Sequence, residues 1–164
     1  MVSKTIRLRA YASSNLAPTA EMSILNKKAK FEYALEPERT EAGVSLSGGE
    51  AKAIRGGHAD ISQSVARVVN GEIYWINANI PVLGATKYDA KRTRKLLLHR
   101  EEIVALGTKM KQRKLTLVPT KVYTKGRLVK VELALGKPKR KFEKREAIKK
   151  KDIKRELARE FKVK

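Results

Sequence analysis

Asn70 and Gly71 separate two runs in which apolar and polar residues alternate, and this pair constrains the fold more than any other feature of the sequence. The two runs cover residues 64–69 and 72–80. Alternation with a period of two is typical of a strand that buries one face. Asn and Gly both tolerate the positive φ angles that a two-residue hairpin turn requires. The sequence therefore predicts an antiparallel β-hairpin here.

Further short strands are predicted on both sides of this hairpin. They cover residues 31–35, 43–47, 115–123 and 127–135. Lys125 and Gly126 join the last two runs into a second hairpin, whereas Pro37 is expected to end the first run. The pattern gives five or six strands with two or three helices, which suits a small closed or half-closed antiparallel β-barrel better than a βαβ sheet. The predicted fold class is therefore mainly β with short α-helices.

Two helices are predicted within this β-rich part of the chain. Ser47 is followed three residues later by Glu50, which predicts a capping box and a short helix that Gly56 ends. The apolar residues between positions 96 and 106 predict a second helix, which is expected to end near Gly107.

The charge balance points to a polyanionic partner. The 164 residues include 38 Lys and Arg against 17 Asp and Glu, a net charge of +21, which attracts nucleic acid or anionic lipid. No apolar run approaches the roughly 18 residues that a membrane-spanning helix needs. The absence of Cys excludes disulfides, thiolate nucleophiles and cysteine-bound metals. Since no catalytic or phosphate-loop motif is present either, we expect a binding protein rather than an enzyme, with no cofactor and no metal.

The two ends of the chain differ from its centre, so we predict three parts: an N-terminal extension at 1–23, a barrel domain at 24–136 and a basic tail at 137–164. No acidic residue precedes Glu21, and the extension is expected to be disordered. Translation from Met22 and an organellar transit peptide over 1–21 are the alternatives.

The tail at 137–164 holds 14 Lys and Arg against 5 Asp and Glu, a net charge of +9. Ile153, Leu157 and Phe161 recur every four residues and would share one face of a helix. This stripe is too narrow to stabilise an isolated helix, because the excess positive charges along the segment repel one another. We therefore predict a segment that is disordered when free and helical against a polyanion.

A dense basic cluster precedes the second predicted helix. It consists of Lys91, Arg92, Arg94 and Lys95. Leu97, His99 and Arg100 follow closely, so a base could contact an apolar surface and an imidazole beside cations that hold phosphate. The alternative is that Leu97 belongs to the core and the cations form a solvated face.

Several collinear segments resemble the SsrA-binding protein family, also called small protein B. They are Asn26–Ala29, Glu41–Val44, Gly49–Gly57, Asn70–Glu72, Arg92–Ile103, Thr116–Pro119, Val129–Glu132 and Glu143–Glu146. The resemblance covers roughly residues 24–160, and the agreement of many motifs in order makes it specific. One departure is Lys114, which stands where the family commonly has a glycine.

The resemblance implies an oligonucleotide-binding (OB) fold that binds the tRNA-like domain of transfer-messenger RNA. It implies RNA contacts by Glu41, Leu97 and His99. The full RNA-binding set that we expect is Glu41, Arg55, Arg92, Arg94, Lys95, Leu97, His99 and Arg100. The chain would act in the bacterial cytoplasm as an adaptor of trans-translation, with alanyl-tRNA synthetase and elongation factor Tu as indirect partners.

For the tail, the resemblance implies a helix in the empty mRNA channel of a stalled ribosome, held by small-subunit RNA near the decoding centre. The tail residues expected to contact the ribosome are Lys139, Arg140, Phe142, Glu143, Lys144, Arg145, Ile153, Leu157 and Phe161. Two other functions remain open. One is a structural ribosomal or nucleoid protein, and the other is a small nuclease that uses His99 and Glu41 as base and acid.

Overall fold

The computed structural model describes residues 22–84 and 87–160. The strands are β1 (Ser23–Leu25), β2 (Tyr33–Val44), β3 (Val65–Val69), β4 (Glu72–Ile76), β5 (Arg94–Leu97), β6 (Thr116–Lys125) and β7 (Leu128–Pro138). The helices are α1 (Ala29–Glu32), α2 (Gly48–Arg55), α3 (Arg100–Arg113) and α4 (Lys141–Glu160). The prediction of a mainly β fold with short helices is confirmed. The predictions for residues 1–21 and for Phe161 lie outside the described residues.

The seven strands form one antiparallel sheet that closes on itself. Their order is β1, β6, β3, β4, β5, β2 and β7, and β7 also pairs with β6. This last pairing closes a ring of six strands, with β1 added at the edge of β6. The paired strands begin at Ser23 and end at Pro138, slightly beyond the predicted domain boundaries of 24 and 136.

Both predicted hairpins are confirmed. Asn70 and Gly71 have φ angles of 50° and 76°, and Val69 pairs with Glu72 across the turn. The second hairpin joins β6 to β7 through Gly126, which has a φ angle of 59°. Alternate residues of these strands point into the ring. The largest fully buried apolar side chains are Ile54, Ile61, Ile73, Trp75, Ile80, Leu96, Leu117 and Leu133.

The prediction that Pro37 ends a strand is wrong. β2 continues through Pro37, and its pairing with β7 shifts between Leu35 and Arg39. A bulge of this kind leaves a residue outside the ladder of hydrogen bonds, so a proline without an N–H is tolerated there. Residues 33–35 and 43–44 of the two predicted strands thus belong to one long strand, whereas Phe31 lies in α1 and residues 45–47 follow the end of β2.

The predicted helix between positions 96 and 106 is also wrong at both ends. Leu96 and Leu97 belong to β5, where Leu96 pairs with Ile73 of β4 and Leu97 with Gly43 of β2. These tertiary pairings override the helical spacing of the apolar residues. α3 starts only at Arg100 and continues past Gly107 to Arg113. A glycine inside a helix lowers its stability by about 1 kcal/mol relative to alanine, but Gly107 does not end this helix.

α4 extends over 20 residues and meets α1 at its base. Phe142, Ile153 and Leu157 are all exposed, so the apolar stripe of the tail is not part of the core. The expectation that this segment is disordered when free stays a prediction. None of the described helices is long and apolar enough to cross a membrane.

Lys114 ends α3 in the left-handed region, with φ 52° and ψ 47°. A side chain in this conformation costs roughly 1–2 kcal/mol, and glycine avoids the cost. We expect Lys114→Gly to raise the free energy of unfolding by roughly 0.5–1 kcal/mol, after allowance for the greater entropy of the unfolded glycine chain. Urea unfolding measures the change. Lys111→Gly, inside the same helix, should lower stability by a similar amount, and equal signs for the two variants would contradict this account.

Candidate RNA-binding surface

Glu41, Leu97 and His99 line one groove of about 750 Å³, which we call the Leu97 groove. Each residue comes from a different element: Glu41 from β2, Leu97 from the last position of β5, and His99 from the N-cap of α3. The pairing of Gly43 with Leu97 places β2 beside β5 and brings the three together. Residues far apart in the sequence therefore form one continuous surface.

Leu97 is 53% exposed, whereas its neighbour Leu96 is buried. The alternative that Leu97 belongs to the core is therefore wrong. A Cβ atom at Gly43 would lie 3.4 Å from the Leu97 Cβ, so the glycine gives the leucine room at the groove. Leu97 also lines two adjoining grooves, one with Arg127 and Lys130 and one with Lys95 and Arg100. An exposed apolar side chain among cations is suited to contact with a base whose phosphate is held nearby.

The carboxylate of Glu41 is exposed and held from two sides. The Tyr123 hydroxyl donates a hydrogen bond to Oε1, and Lys130 Nζ donates to Oε2 over 2.9 Å. These two hydrogen bonds lower the pKa of Glu41 below its ordinary value, so the group is ionised at neutral pH. Each carboxylate oxygen has a second lone pair, so Glu41 can still accept a hydrogen bond from a base amino group.

His99 precedes α3 and exposes its side chain at the groove. Its backbone N–H donates to Glu102 Oε2 over 3.0 Å, and its carbonyl accepts from the Ile103 N–H over 3.1 Å. The helix start is thereby fixed, and with it the backbone from which the imidazole projects. Arg100, the first residue of α3, is exposed next to it.

The structure divides the predicted basic cluster. Arg94 is fully buried, and its Nε donates to Glu50 Oε1 over 2.7 Å while its Nη1 donates to the Ala78 carbonyl, also over 2.7 Å. Arg92 is partly exposed and donates to Glu50 Oε2 over 2.5 Å. Arg94 therefore has no exposed surface for RNA, and it can affect binding only through the strand that it holds.

Glu50 is the buried centre of this network. Burial raises its pKa, but hydrogen bonds from Arg92, Tyr88, the Ser47 N–H and Arg94 outweigh that effect and lower the pKa to about 2. The predicted capping box of α2 is confirmed, because the Ser47 N–H donates to Glu50 Oε2 over 2.7 Å and the Glu50 N–H donates to Ser47 Oγ over 3.4 Å. One carboxylate thus ties α2 to the start of β5.

Two other predicted RNA contacts are exposed but lie outside the Leu97 groove. Lys95 pairs with Glu72 across β4 and β5. Arg55 lies at the end of α2, where its Nη2 donates to the Arg127 carbonyl over 2.8 Å. The expected set is thus divided among several grooves, and its member Arg94 is buried.

Sequence reasoning missed Lys130 and Tyr123, the two groups that hold Glu41. The signal was present, because Val122 and Val131 are buried and the residues that alternate with them must point outward. Lys121 Nζ also lies 5.1 Å from the centre of the Tyr123 ring. The outer face of β6 and β7 therefore adds an aromatic ring and two cations to the surface around Glu41.

The start of the tail is anchored to α1. The Lys139 N–H donates to the Glu32 carbonyl over 2.9 Å, and Lys139 Nζ donates to the Lys30 carbonyl over 2.8 Å. Of the predicted tail contacts, Arg140, Phe142, Glu143 and Arg145 are exposed and Lys144 is half-buried. Phe142 is 70% exposed one residue into α4. The tail therefore presents its aromatic and basic groups outward from a fixed point.

Comparisons with known proteins agree on one family. The family model described as SmpB protein matches residues 23–163. The SsrA-binding protein of Persephonella marina is 47% identical over 142 residues, which cover 85% of this chain and 93% of that protein. The SsrA-binding protein of Thermosipho africanus is 45% identical over 136 residues, covering 80% and 91%. A solved structure described as "tmRNA-SmpB: a journey to the center of the bacterial ribosome" matches with a TM-score of 0.62 and 38% identity, covering 77% of this chain and 94% of that chain.

Proposed function

The chain belongs to the SmpB family of RNA-binding proteins, and we propose that it binds the tRNA-like domain of transfer-messenger RNA through the Leu97 groove. The observation that carries this proposal is the convergence of Glu41, Leu97 and His99 on one exposed surface. Members of this family are not enzymes, so the nuclease alternative is wrong.

The chemistry of the groove supports recognition of a folded RNA. Leu97 offers an apolar contact for an unstacked base, and the ionised Glu41 can accept hydrogen bonds from base amino groups. Contacts to bases distinguish one RNA from another, whereas contacts to phosphates alone do not. The Leu97 groove itself holds Glu38, Glu41 and Glu102 beside three basic residues, so affinity for the RNA backbone would come largely from Arg100 and Arg127 in the adjoining grooves. The names of the relatives and the description of the solved tmRNA-SmpB structure support the identity of the RNA.

We propose further that the tail senses the empty mRNA channel of a stalled bacterial ribosome, to which the barrel delivers its RNA. Its net charge of +9 favours contact with ribosomal RNA, and its exposed stripe of Ile153 and Leu157 can pack only when residues 141–160 are helical. Alanyl-tRNA synthetase and elongation factor Tu would act on the same RNA before and during delivery.

Competition binding tests the RNA-binding part of this function. We expect the protein to prefer the tRNA-like domain over a tRNA of equal length at physiological salt, and Leu97→Ala to weaken binding about four- to twelvefold, because burying the exposed half of this leucine on an RNA contributes about 0.8–1.5 kcal/mol. Val104→Ala is the matched control, since Val104 is an exposed apolar residue of α3 that does not line the groove. It should bind as the unchanged protein does.

Equal affinity for both RNAs, lost equally as salt rises, would contradict the proposal. That result would favour the remaining alternative, a structural ribosomal or nucleoid protein that binds nucleic acid mainly by charge.

A further inference from the structure

A further groove lies between α2 and the segment that follows Pro81. We propose that it extends the binding site for the same RNA by holding a phosphate and an unstacked base. This inference rests on the proposed function. We call it the α2 groove; it has a volume of about 390 Å³, and Lys52, Arg55, His58, Val82 and Leu83 line it. None of these residues belongs to the Leu97 groove.

The α2 groove depends on a close approach between α2 and the segment that follows Pro81. A Cβ atom at Gly49 would lie only 2.6 Å from Val82 Cγ1, so a side chain at position 49 would push the two apart. The capping box of Ser47 and Glu50 fixes the start of α2 at the same place. The walls of the groove are therefore set by the fold.

The groove has one strongly exposed apolar side chain. Leu83 is 83% exposed, more than any other large apolar residue that the structure describes. Leu83 shares the α2 groove with Lys52 and His58, just as Leu97 shares the Leu97 groove with Lys130 and His99. An isolated exposed leucine is ordinary, but one that shares a groove with cations can hold the face of a base whose phosphate those cations bind.

The charges of the α2 groove select the class of partner. Lys52 and Arg55 carry positive charge, and none of the described residues that line the groove is acidic. A basic peptide or a cation would find no counter-charge there, whereas a phosphate backbone would. The combination of cations with Leu83 favours single-stranded or unstacked RNA over a regular duplex, whose bases are hidden.

Arg55 connects this groove to the proposed RNA surface. Its side chain lines the α2 groove, while its Nη2 reaches the Arg127 carbonyl over 2.8 Å. Arg127 in turn lines the groove that contains Leu97 and Lys130. A strand of RNA could therefore run from Leu97 over Arg55 to Leu83 without crossing an acidic side chain among these residues, which is why we assign the α2 groove to the same RNA.

Binding and salt dependence test the two halves of the α2 groove separately. We expect Lys52→Ala to weaken binding to the tRNA-like domain by roughly three- to tenfold and to reduce the slope of log K against log salt by about one, since one phosphate contact is lost. Leu83→Ala should weaken binding by a similar factor without changing the slope, because it removes no charge. Both side chains are exposed, so folding is preserved.

Lys111→Ala is the matched control for charge. Lys111 is exposed on α3, about 200° around the helix from Lys109, which lines the Leu97 groove. We expect the RNA affinity of Lys111→Ala to stay within about twofold of that of the unchanged protein. Its slope of log K against log salt should change by less than the slope of Lys52→Ala does.

Directed cleavage gives a readout that does not depend on affinity. Because the chain has no Cys, Leu83→Cys creates a single attachment point for an iron chelate that cuts nearby RNA. We expect cuts in the bound tRNA-like domain from position 83 and none above background from the same chelate on Lys111→Cys.

Three outcomes would overturn the proposal, and they differ from one another. If Leu97→Ala weakens binding while Lys52→Ala and Leu83→Ala do not, and position 83 gives no cuts, the proposed function stands and the α2 groove is not part of the site. Cuts that appear only in ribosomal RNA of a ribosome complex would assign the groove to another RNA. If the protein does not prefer the tRNA-like domain, the proposed function fails and this inference fails with it.

Discussion

Replacement of Glu50 by alanine is expected to lower the free energy of unfolding by about 3–5 kcal/mol, a large part of the stability of a domain of this size. The variant would leave the fully buried guanidinium of Arg94 without its carboxylate, and removing one partner of a buried ion pair leaves an uncompensated charge. It would also remove the acceptor for Tyr88 and Arg92 and half of the capping box of α2. Denaturant unfolding followed by circular dichroism measures the loss.

Glu72→Ala is the matched control for Glu50→Ala. Glu72 also forms an ion pair with a residue of β5, Lys95, but both side chains of that pair are about two-fifths exposed. Exposed pairs contribute roughly 0–1 kcal/mol, so this variant should unfold nearly as the unchanged protein does. Equal losses in the two variants would contradict a special role for the buried pair.

The low pKa of Glu50 adds a dependence on pH to the same prediction. Its folded pKa of about 2 lies below the ordinary value of 4.5, so ionised Glu50 stabilises the fold fully above about pH 4.5. That contribution is lost as the pH falls from 4.5 towards 2, where the folded carboxyl takes up its proton. Glu50→Gln should show less acid destabilisation over this range than the unchanged protein. The same slope in both would show that other carboxyls cause the acid sensitivity.

Loss of the Glu50 network would also disturb RNA binding without any direct contact. Arg94 is the first residue of β5 and Leu97 is its last, so the buried pair fixes the strand that carries the exposed leucine. Arg94 and Leu96 are thus buried, while Lys95 and Leu97, which alternate with them along β5, are exposed. This explains why a run of basic residues in the sequence does not translate into a run of RNA contacts.

The local features of the fold could be predicted from the sequence because they depend on neighbouring residues. The hairpin at Asn70 and Gly71 needs only positive φ angles, and the capping box needs only Ser47 and Glu50 at the right spacing. β5 could not be predicted in this way. Its conformation depends on pairing with β4 and β2, and the spacing of Leu96, Leu97 and the residues after them also fits a helix.

In the candidate site, too, local features could be predicted from the sequence and long-range contacts could not. Glu41 was identified through resemblance alone, since no spacing in the sequence shows that β2 lies beside β5, whereas Leu97 and His99 were also indicated by the basic cluster next to them. The burial of Arg94 was missed because its partner Glu50 lies far away in the sequence and no local rule links them. Lys130 and Tyr123, by contrast, could have been found from the alternation of β6 and β7 alone.

Removal of residues 141–164 is expected to abolish rescue of stalled ribosomes while changing affinity for the isolated tRNA-like domain by less than about threefold, or about 0.7 kcal/mol. The cut follows Arg140, so it leaves all seven strands and the anchor of Lys139 on α1 intact. It removes all nine basic residues of α4 together with Phe142, and none of those whose side chains the structure describes lines the Leu97 groove. A reconstituted translation system that scores tagging of a truncated message measures rescue.

Two substitutions in the full chain separate the charge of the tail from its helical stripe. Ile153→Ser with Leu157→Ser keeps every charge but removes the apolar face, and we expect it to lower rescue strongly. Ile148→Ser is the matched control, because Ile148 is an exposed isoleucine that lies about 140° around α4 from Ile153. If the control lowers rescue as much as the double variant, the helical face has no specific role. If neither variant lowers rescue while the truncation does, charge alone carries the function of the tail.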